Sequence, residues 1–206
     1  MRKLVVFNQV TLDGYFTDAN GDMSWAHKDK QDAEWNEFVA GNANPGGVLV
    51  FGRITYDLMA SYWPTQDAIK NVPVVAEAMN NAEKIVFSRS LKKADWTNTK
   101  LVKGDIAAEM RKIKRKPGKD MVILGSGTIV SQMTQGGLID EYQLVVNPLV
   151  LGEGRTMFDG IRKKLTLKLT KSRTFGNGNV VLCYEPMPRN QSQRENASHE
   201  SVRSPA

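Results

Sequence analysis

The stretch DMVILGSGT, residues 120–128, joins an apolar strand to a glycine turn, and Ile129, Val130 and Met133 then follow at helical spacing. A glycine turn of this kind exposes backbone N–H groups at the positive end of the helix dipole, which suits an anion such as a pyrophosphate. The stretch is not the dinucleotide fingerprint G-x-G-x-x-G, because Val130 occupies the position of the third glycine. A tight turn that packs a helix against a sheet explains the two glycines equally well.

Strand and helix patterns alternate on both sides of this stretch over residues 1–147. Short apolar runs predict strands around Val6 and over 46–52, 84–88, 100–102 and 139–147. Apolar residues at helical spacing predict helices over 31–41, after Gly52 as far as Trp63-Pro64, and after the N-cap Asp105. Residues 66–81 are ambiguous because Pro73 interrupts a helical pattern, and residues 11–24 are interpreted as a long loop.

The end of the patterned region differs from the rest. The segments LTLKLTKSRTF and NVVLCYE alternate in polarity and are joined by GNG, which predicts a hairpin. The whole pattern predicts an α/β fold with a mostly parallel central sheet and an antiparallel C-terminal hairpin. Residues 188–206 have almost no apolar content, so we predict one domain over 1–187 and a disordered polar tail over 188–206.

Composition excludes several classes of protein. One cysteine among 206 residues excludes an internal disulfide, and it cannot form a zinc site with only two histidines. No apolar run is long enough to span a membrane. The net charge of +6 indicates an anionic ligand. The densest basic run, residues 111–119, lacks interleaved aromatic residues, so we interpret it as a solvated helix face and not a nucleic-acid site. We therefore expect a cytoplasmic protein without a structural metal.

Two further strand ends carry residues that can bind an anion. Arg53 follows the strand that ends at Gly52, and it can meet a phosphate together with the first N–H groups of the next helix. Ser88-Arg89 follows the strand KIVF, and this pair can bind a ribose 2′-phosphate, the group that distinguishes NADP from NAD. Taken singly, a surface arginine and an exposed turn explain them as well. Because strand ends of an open α/β sheet face one crevice, a single polyphosphate ligand explains all three segments together.

The order of these motifs resembles one superfamily. Leu12-Asp13-Gly14, VLVFGRITY, IVFSR, VILGSGT and LIDEYQLVVNPLVLGEG are similar in order and spacing to the dihydrofolate-reductase-like superfamily. The resemblance spans most of residues 3–185. It is strongest to the reductase domain of the bifunctional riboflavin-biosynthesis deaminase-reductase and its stand-alone relatives. It implies a three-layer fold, NADPH as cofactor and a homodimer.

The resemblance also implies roles for individual residues. Gly52, Arg53 and Thr55 would hold cofactor phosphate, Ser88 and Arg89 would lie at the 2′-phosphate, and Gly125, Ser126, Gly127 and Thr128 would hold the pyrophosphate. The segment from Val10 to Gly14 would line the nicotinamide. Asp13 would face the substrate and donate or orient a proton, although an aspartate before Gly14 is also a common turn former. Trp25 and Tyr56 are candidate pocket walls, with core packing as the alternative.

The sequence leaves four functions open. Reduction of a pyrimidine-like or pterin-like ring by NADPH, as in 5-amino-6-(5-phosphoribosylamino)uracil reductase, is the first expectation. Dihydrofolate reductase is the second, and it needs a carboxylate near the pterin. The candidates for this carboxylate are Asp29, Asp32, Glu34 and Glu37. Glu34 lies four residues before Phe38, and Asp32 lies nearer the apolar face of the helix predicted over 31–41. Alternatively, all four are solvated carboxylates on the helix surface. A non-catalytic NADPH-binding protein is the third expectation, and nucleic-acid binding through residues 111–119 is the fourth.

Overall fold

The predicted strands form one large sheet in the computed structural model, which describes residues 1–27, 32–43 and 46–188. The strands are β1 (Leu4–Thr11), β2 (Tyr15–Thr17), β3 (Val48–Gly52), β4 (Lys84–Phe87), β5 (Thr99–Val102), β6 (Met121–Leu124), β7 (Glu141–Asn147), β8 (Arg155–Thr156), β9 (Leu167–Thr174) and β10 (Val180–Pro186). The helices are α1 (Ala33–Ala43), α2 (Arg53–Tyr62), α3 (Gln66–Asn71), α4 (Pro73–Asn81), α5 (Ile106–Arg115), α6 (Gly127–Gln135) and a 3-10 helix, Ser24–His27. Asp29 and residues 189–206 of the predicted tail lie outside the described residues.

The sheet has eight strands in the order β5-β4-β3-β6-β1-β7-β10-β9. All pairings from β5 to β7 are parallel, whereas β10 runs antiparallel to both β7 and β9. This order confirms the predicted mostly parallel sheet with an antiparallel C-terminal hairpin. The six parallel strands end at one edge, which we call the carboxyl edge. The three segments predicted to bind an anion therefore all lie along the carboxyl edge.

The parallel strands are buried on both faces, which accounts for their continuous apolar sequences. On β3, Val50 packs into a cluster that includes Met133 of α6, while the next residue, Phe51, packs into a second cluster with Met79 of α4. Successive strand residues point to opposite faces, so the two clusters lie on the two sides of the sheet. Trp35 of α1 packs with apolar residues of β7 and β10 in a third cluster. The result is three layers, with helices on both faces of the sheet.

The structure resolves the segment that the sequence leaves ambiguous. Residues 66–81 form α3 and α4, separated by one residue. The hydroxyl of Thr65 caps α3 by accepting a hydrogen bond from Ala68 N at 3.2 Å. Pro73 is the first residue of α4, where proline is tolerated because its missing N–H would have no helical partner. The predicted loop over residues 11–24 contains a further short strand, β2, which pairs with β8.

Lys84 carries an ammonium group into the interior. The residue is only 1% exposed, and its Nζ donates to the carbonyl oxygens of Asn80 at 3.0 Å, Ala82 at 2.7 Å and Thr97 at 3.0 Å. The same nitrogen lies 4.4 Å from the centroid of the Trp96 ring. Burial lowers the pKa of Lys84 to about 8. Lys84 thus joins the end of α4 to the chain that leads into β5.

Three features of the described residues concern membranes, metals and thiols. No helix among them combines the length and apolar character needed to cross a lipid bilayer. No group of three or more His, Cys, Asp or Glu side chains within residues 1–27, 32–43 and 46–188 is arranged to hold a metal ion. Cys183 is buried on β10, and burial raises the pKa of its thiol, which disfavours the thiolate form.

Candidate functional site

Two helices begin side by side at the carboxyl edge. Helix α2 follows β3, α6 follows β6, and these two strands pair in parallel. The residues before the helices, Gly52 and Ser126, form no side-chain cap. The first N–H groups of a helix have no intrahelical partner, and they carry the positive end of its dipole. This part of the edge therefore offers two sets of N–H donors to one anionic group.

A hydroxyl group fixes these two helix starts relative to each other. Ser126 Oγ accepts a hydrogen bond from Gly52 N at 2.8 Å and donates one to Thr55 Oγ1 at 2.8 Å. Ser126 takes up this position with a φ of 60°, which few residues other than glycine adopt. The structure thus brings Gly52, Thr55 and Ser126 into one connected unit.

The turn before α6 is held from the neighbouring strand β1. The Asn8 side chain accepts a hydrogen bond from Gly125 N at 2.6 Å and donates one to Gly125 O at 3.3 Å. Gly125 has a φ of +63°, and a Cβ atom there would lie 3.1 Å from Thr55 Cγ2. Sequence reasoning missed the role of Asn8. The signal that could have found it is a polar amide inside an otherwise apolar strand.

The two predicted arginines lie at the same edge and are both accessible. Arg53 Nη1 is 3.0 Å from Asp57 Oδ2, and both side chains are about half exposed. Ser88 and Arg89 follow β4, the strand beside β3, and Arg89 is exposed. Ser88 Oγ accepts a hydrogen bond from Leu91 N at 2.9 Å, which shapes the turn. A phosphate group that binds Arg53 would compete with Asp57. Arg89 is exposed at the carboxyl end of β4.

Asp13 joins two loops of the carboxyl edge. Its carboxylate accepts hydrogen bonds from Thr11 Oγ1 at 2.5 Å, Leu151 N at 3.1 Å and Gly152 N at 2.8 Å. These bonds, that from Thr11 above all, lower the pKa of Asp13. The carboxyl group is therefore ionised at neutral pH and acts as an acceptor. Gly14, with a φ of +87°, closes the same turn.

A second connection between the same loops is the short pair β2–β8. The ring of Phe16 on β2 lies against the start of α6, and a Cβ atom on Gly127 would come within 2.9 Å of it. Gly154, just before β8, has a φ of +154°, and a Cβ atom there would lie only 2.2 Å from the carbonyl oxygen of Thr17. This pair thus supports the first turn of α6, which contains the predicted pyrophosphate ligands Gly127 and Thr128.

A cavity of about 230 Å³ opens at the same edge, beyond β1. We call it the Trp25 cavity. The described residues that line it are uncharged and come from the 3-10 helix, α1, the end of β7, the loop after it and the hairpin turn: Trp25, Ala26, Trp35, Asn147, Pro148, Leu149, Asn177 and Asn179. Val10, the predicted nicotinamide contact, adjoins this lining because its carbonyl oxygen accepts a hydrogen bond from Asn147 Nδ2 at 3.2 Å. The cavity therefore lies next to the predicted nicotinamide position.

Two of the candidate acids at α1, Asp32 and Glu34, have partners, and a third, Glu37, is exposed. Asp32 accepts hydrogen bonds from Trp35 N at 2.9 Å and Asn177 N at 3.0 Å, so it caps the helix and ties it to the hairpin turn. Glu34 is paired with Arg173 at 2.6 Å and is about half exposed. The structure thus gives Glu34 a surface position beside β9 and not a place in the Trp25 cavity.

Tyr56 is the other predicted residue that does not join the site. It is 4% exposed, and its hydroxyl accepts a hydrogen bond from Trp96 N at 3.0 Å within the second apolar cluster. Core packing therefore accounts for Tyr56. The predicted cofactor-binding residues all lie along the carboxyl edge or in the loops that leave it.

Comparisons with known proteins agree with this architecture. The chain is 30% identical over 183 residues to YyaP of Bacillus subtilis (strain 168), itself uncharacterized, with 89% of this chain and 94% of YyaP covered. A protein assigned to riboflavin biosynthesis in Shewanella sp. PV-4 has a similar structure, with a TM-score of 0.69 and 21% identity over 90% of this chain and 99% of that one. Dihydrofolate reductase from Enterococcus faecalis, complexed with NADP(H), gives a TM-score of 0.62 and 14% identity over 90% of this chain and 97% of that one.

A family model also matches most of the chain. Residues 2–181 match the model of the RibD C-terminal domain, which includes every strand of the carboxyl edge and most of the C-terminal hairpin. The similarity to the riboflavin-biosynthesis protein and to dihydrofolate reductase shows that the fold is the dihydrofolate-reductase-like one that the sequence motifs imply. The chain therefore belongs to the RibD C-terminal domain family.

Proposed function

We propose that this chain is an NADPH-dependent reductase that transfers a hydride to a pyrimidine-like or pterin-like ring. The observation that carries the proposal is the pair of uncapped helix starts at β3 and β6, joined by Ser126 and flanked by Arg53 and Arg89. Family membership supports a reductase-type activity. A dinucleotide with a 2′-phosphate is the anionic ligand that matches three separate donor groups along one edge.

The donor set fits NADPH in each of its charged parts. The starts of α2 and α6 would hold the pyrophosphate with Arg53 and Thr55, and Ser88 and Arg89 would hold the 2′-phosphate. The glycine at position 125 leaves the backbone close to Thr55, with no room for a larger side chain. When bound, the nicotinamide supplies the hydride, and the protein's part is to bind, orient and exclude water.

Asp13 is best described as a positioning residue. Its oxygens accept three hydrogen bonds, and its lowered pKa keeps it ionised, so it is poorly suited to donate a proton. Instead it holds the turn after β1 against the loop after β7, on either side of the predicted nicotinamide position. The proton that completes the reduction would then reach the ring from another donor, such as water.

A riboflavin-type substrate is favoured over dihydrofolate. In dihydrofolate reduction a carboxylate must face the pterin, yet among the described candidates Asp32 caps α1, Glu34 pairs with Arg173 and Glu37 is exposed. We therefore propose 5-amino-6-(5-phosphoribosylamino)uracil or a related ring as the substrate. NADPH oxidation assayed with this compound and with dihydrofolate separates the two activities. Tight NADPH binding without turnover of either compound would favour the non-catalytic alternative.

Replacing Arg89 with alanine is expected to raise the Kd for NADPH about 30-fold, because hydrogen bonds to charged groups contribute about 1.5–3 kcal/mol. The Kd for NADH should not change, since NADH has no 2′-phosphate. Isothermal titration calorimetry with both nucleotides measures the effect. Arg115→Ala is the matched control, because Arg115 ends α5 away from the carboxyl edge. Equal binding of NADPH and NADH by the unaltered protein would contradict the assignment of Ser88 and Arg89.

We also propose that the chain forms a homodimer, as the superfamily resemblance implies. Helix α2 supports this, because Ile54, Leu58 and Tyr62 expose 67%, 54% and 43% of their surfaces along one side. Light scattering after size exclusion should give a mass near twice 22.9 kDa. Leu58→Glu should lower that mass if this face takes part, and a monomeric mass for the unaltered protein would contradict the proposal.

A further inference from the structure

The Trp25 cavity contains two hydrogen-bond donors without partners. Trp25 Nε1 and Asn177 Nδ2 are both shielded from solvent, and neither finds an acceptor among the described residues. Both residues line the cavity. Buried polar groups in folded proteins are nearly always hydrogen-bonded, and each exception calls for an explanation. Two such donors at one cavity match the acceptor groups of a bound molecule.

We propose that the Trp25 cavity binds the carbonyl oxygens of a small uncharged planar ring, with Trp25 Nε1 and Asn177 Nδ2 as the donors that select it. This inference rests on the proposed function and deepens it by naming the substrate's hydrogen-bonding pattern. The lining supports an uncharged ring, because its described residues include two tryptophans and three asparagines and none of them is charged. The volume of about 230 Å³ is that of a small ring, not of an extended cofactor.

The acceptors beside these two donors already have partners. Asp32 accepts one backbone N–H on each carboxylate oxygen, from Trp35 and Asn177. Asn177 Oδ1 accepts a hydrogen bond from Asn179 N at 3.0 Å. The unsatisfied groups are therefore the two nitrogens, and carbonyl oxygens of a bound ring match them.

The position of the cavity suits a substrate beside the proposed cofactor. Asn147 lies at the end of β7, level with Thr11 at the end of β1. The cofactor phosphates would lie at β3 and β6, on the other side of β1. Two strand spacings, about 10 Å, separate β6 from β7. The nicotinamide half of a dinucleotide can span this distance, so its ring would reach β1 next to the cavity.

Calorimetric titration of the full chain with uracil and with 2,4-diaminopyrimidine tests the inference. Uracil presents carbonyl acceptors at the positions where the second compound presents amino donors. We expect uracil to bind at least tenfold more tightly. Equal affinities, a preference for the diamino compound or no uracil binding would overturn the inference.

Two variants test the donors separately. Trp25→Phe keeps a ring but removes Nε1, and it should weaken uracil binding about three- to tenfold, the effect of one lost hydrogen bond. Asn177→Asp keeps the oxygen that Asn179 uses but removes the donor, and it should reverse the preference in favour of 2,4-diaminopyrimidine. Trp63→Phe is the matched control, because Trp63 Nε1 contacts Met59 Sδ on α2 and does not line the cavity. Unchanged uracil binding by both Trp25→Phe and Asn177→Asp would overturn the inference.

The same samples distinguish this inference from the proposed function. NADPH binding depends on α2, α6 and Arg89, none of which line the Trp25 cavity. Selective uracil binding without NADPH binding would support the cavity inference and contradict the proposed cofactor. NADPH binding without selective uracil binding would contradict the cavity inference alone.

Discussion

Replacement of Gly154 by alanine is expected to lower the free energy of unfolding by about 4 kcal/mol, from steric overlap and backbone strain together. The added Cβ atom would lie 2.2 Å from the carbonyl oxygen of Thr17, so one of the two chain segments must move. The φ of +154° is also one that residues with side chains rarely adopt. Because both segments belong to the β2–β8 pair, that pair should separate, and Phe16 should lose its position against Gly127.

Urea denaturation followed by circular dichroism measures this loss. Gly160→Ala is the matched control, because Gly160 also has a positive φ, +75°, but a Cβ atom added there would have no other atom within 4 Å. The control should lose only about 1 kcal/mol, from strain alone. Equal losses in the two variants would show that the contact with Thr17 is unimportant. The stabilisation by NADPH should also fall in Gly154→Ala, because Phe16 supports the first turn of α6.

Lys84→Met is expected to lower the free energy of unfolding by about 3 kcal/mol at neutral pH, because three carbonyl groups lose the donor that a buried side chain supplies. Those carbonyls belong to Asn80, Ala82 and Thr97, at the end of α4 and in the chain before β5. Thermal and urea denaturation measure the loss. Lys100→Met, on the neighbouring strand β5, is the control, because Lys100 is exposed. A loss no larger than that of the control would contradict the role of Lys84.

The contribution of Lys84 should also depend on pH. Burial lowers the pKa of Lys84 from 10.5 in the unfolded chain to about 8 in the native protein. Between these values the unfolded chain holds a proton that the native protein has released, so native stability rises with pH. The difference in unfolding free energy between the unaltered protein and Lys84→Met should therefore grow by roughly 2 kcal/mol from pH 8 to pH 10.5. A difference that shrinks over this range would contradict the direction of the pKa shift.

The sequence predicts the parallel part of the sheet well for a physical reason. Strands such as β3 and β6 are buried on both faces, so their apolar runs are continuous and end sharply at glycine. Glycine turns and helix starts at the strand ends are also local features, which is why the positions of Gly52 and Gly125 are predictable. The structure confirms the resulting sheet order as a mostly parallel one with a terminal hairpin.

Features that depend on contacts between distant segments are not predictable in this way. The strand β8 is only two residues long, and it exists because β2 lies beside it. Lys84 has no sequence pattern that distinguishes a buried lysine from a solvated one. Spacing along α1 also fails to show that Asp32 caps the helix, because its second partner, Asn177, is 145 residues away.

The hairpin turn at residues 175–179 supplies two of the asparagines of the Trp25 cavity, yet it lies outside the sheet and far from α2 and α6 along the chain. If the cavity binds a ring as proposed, changes in the length or composition of this turn would alter which ring is accepted and would leave the proposed coenzyme donors untouched. A scaffold organised in this way could acquire new substrates through a few residues of its last hairpin. Divergence among its relatives should therefore be concentrated in that turn and in the 3-10 helix opposite it.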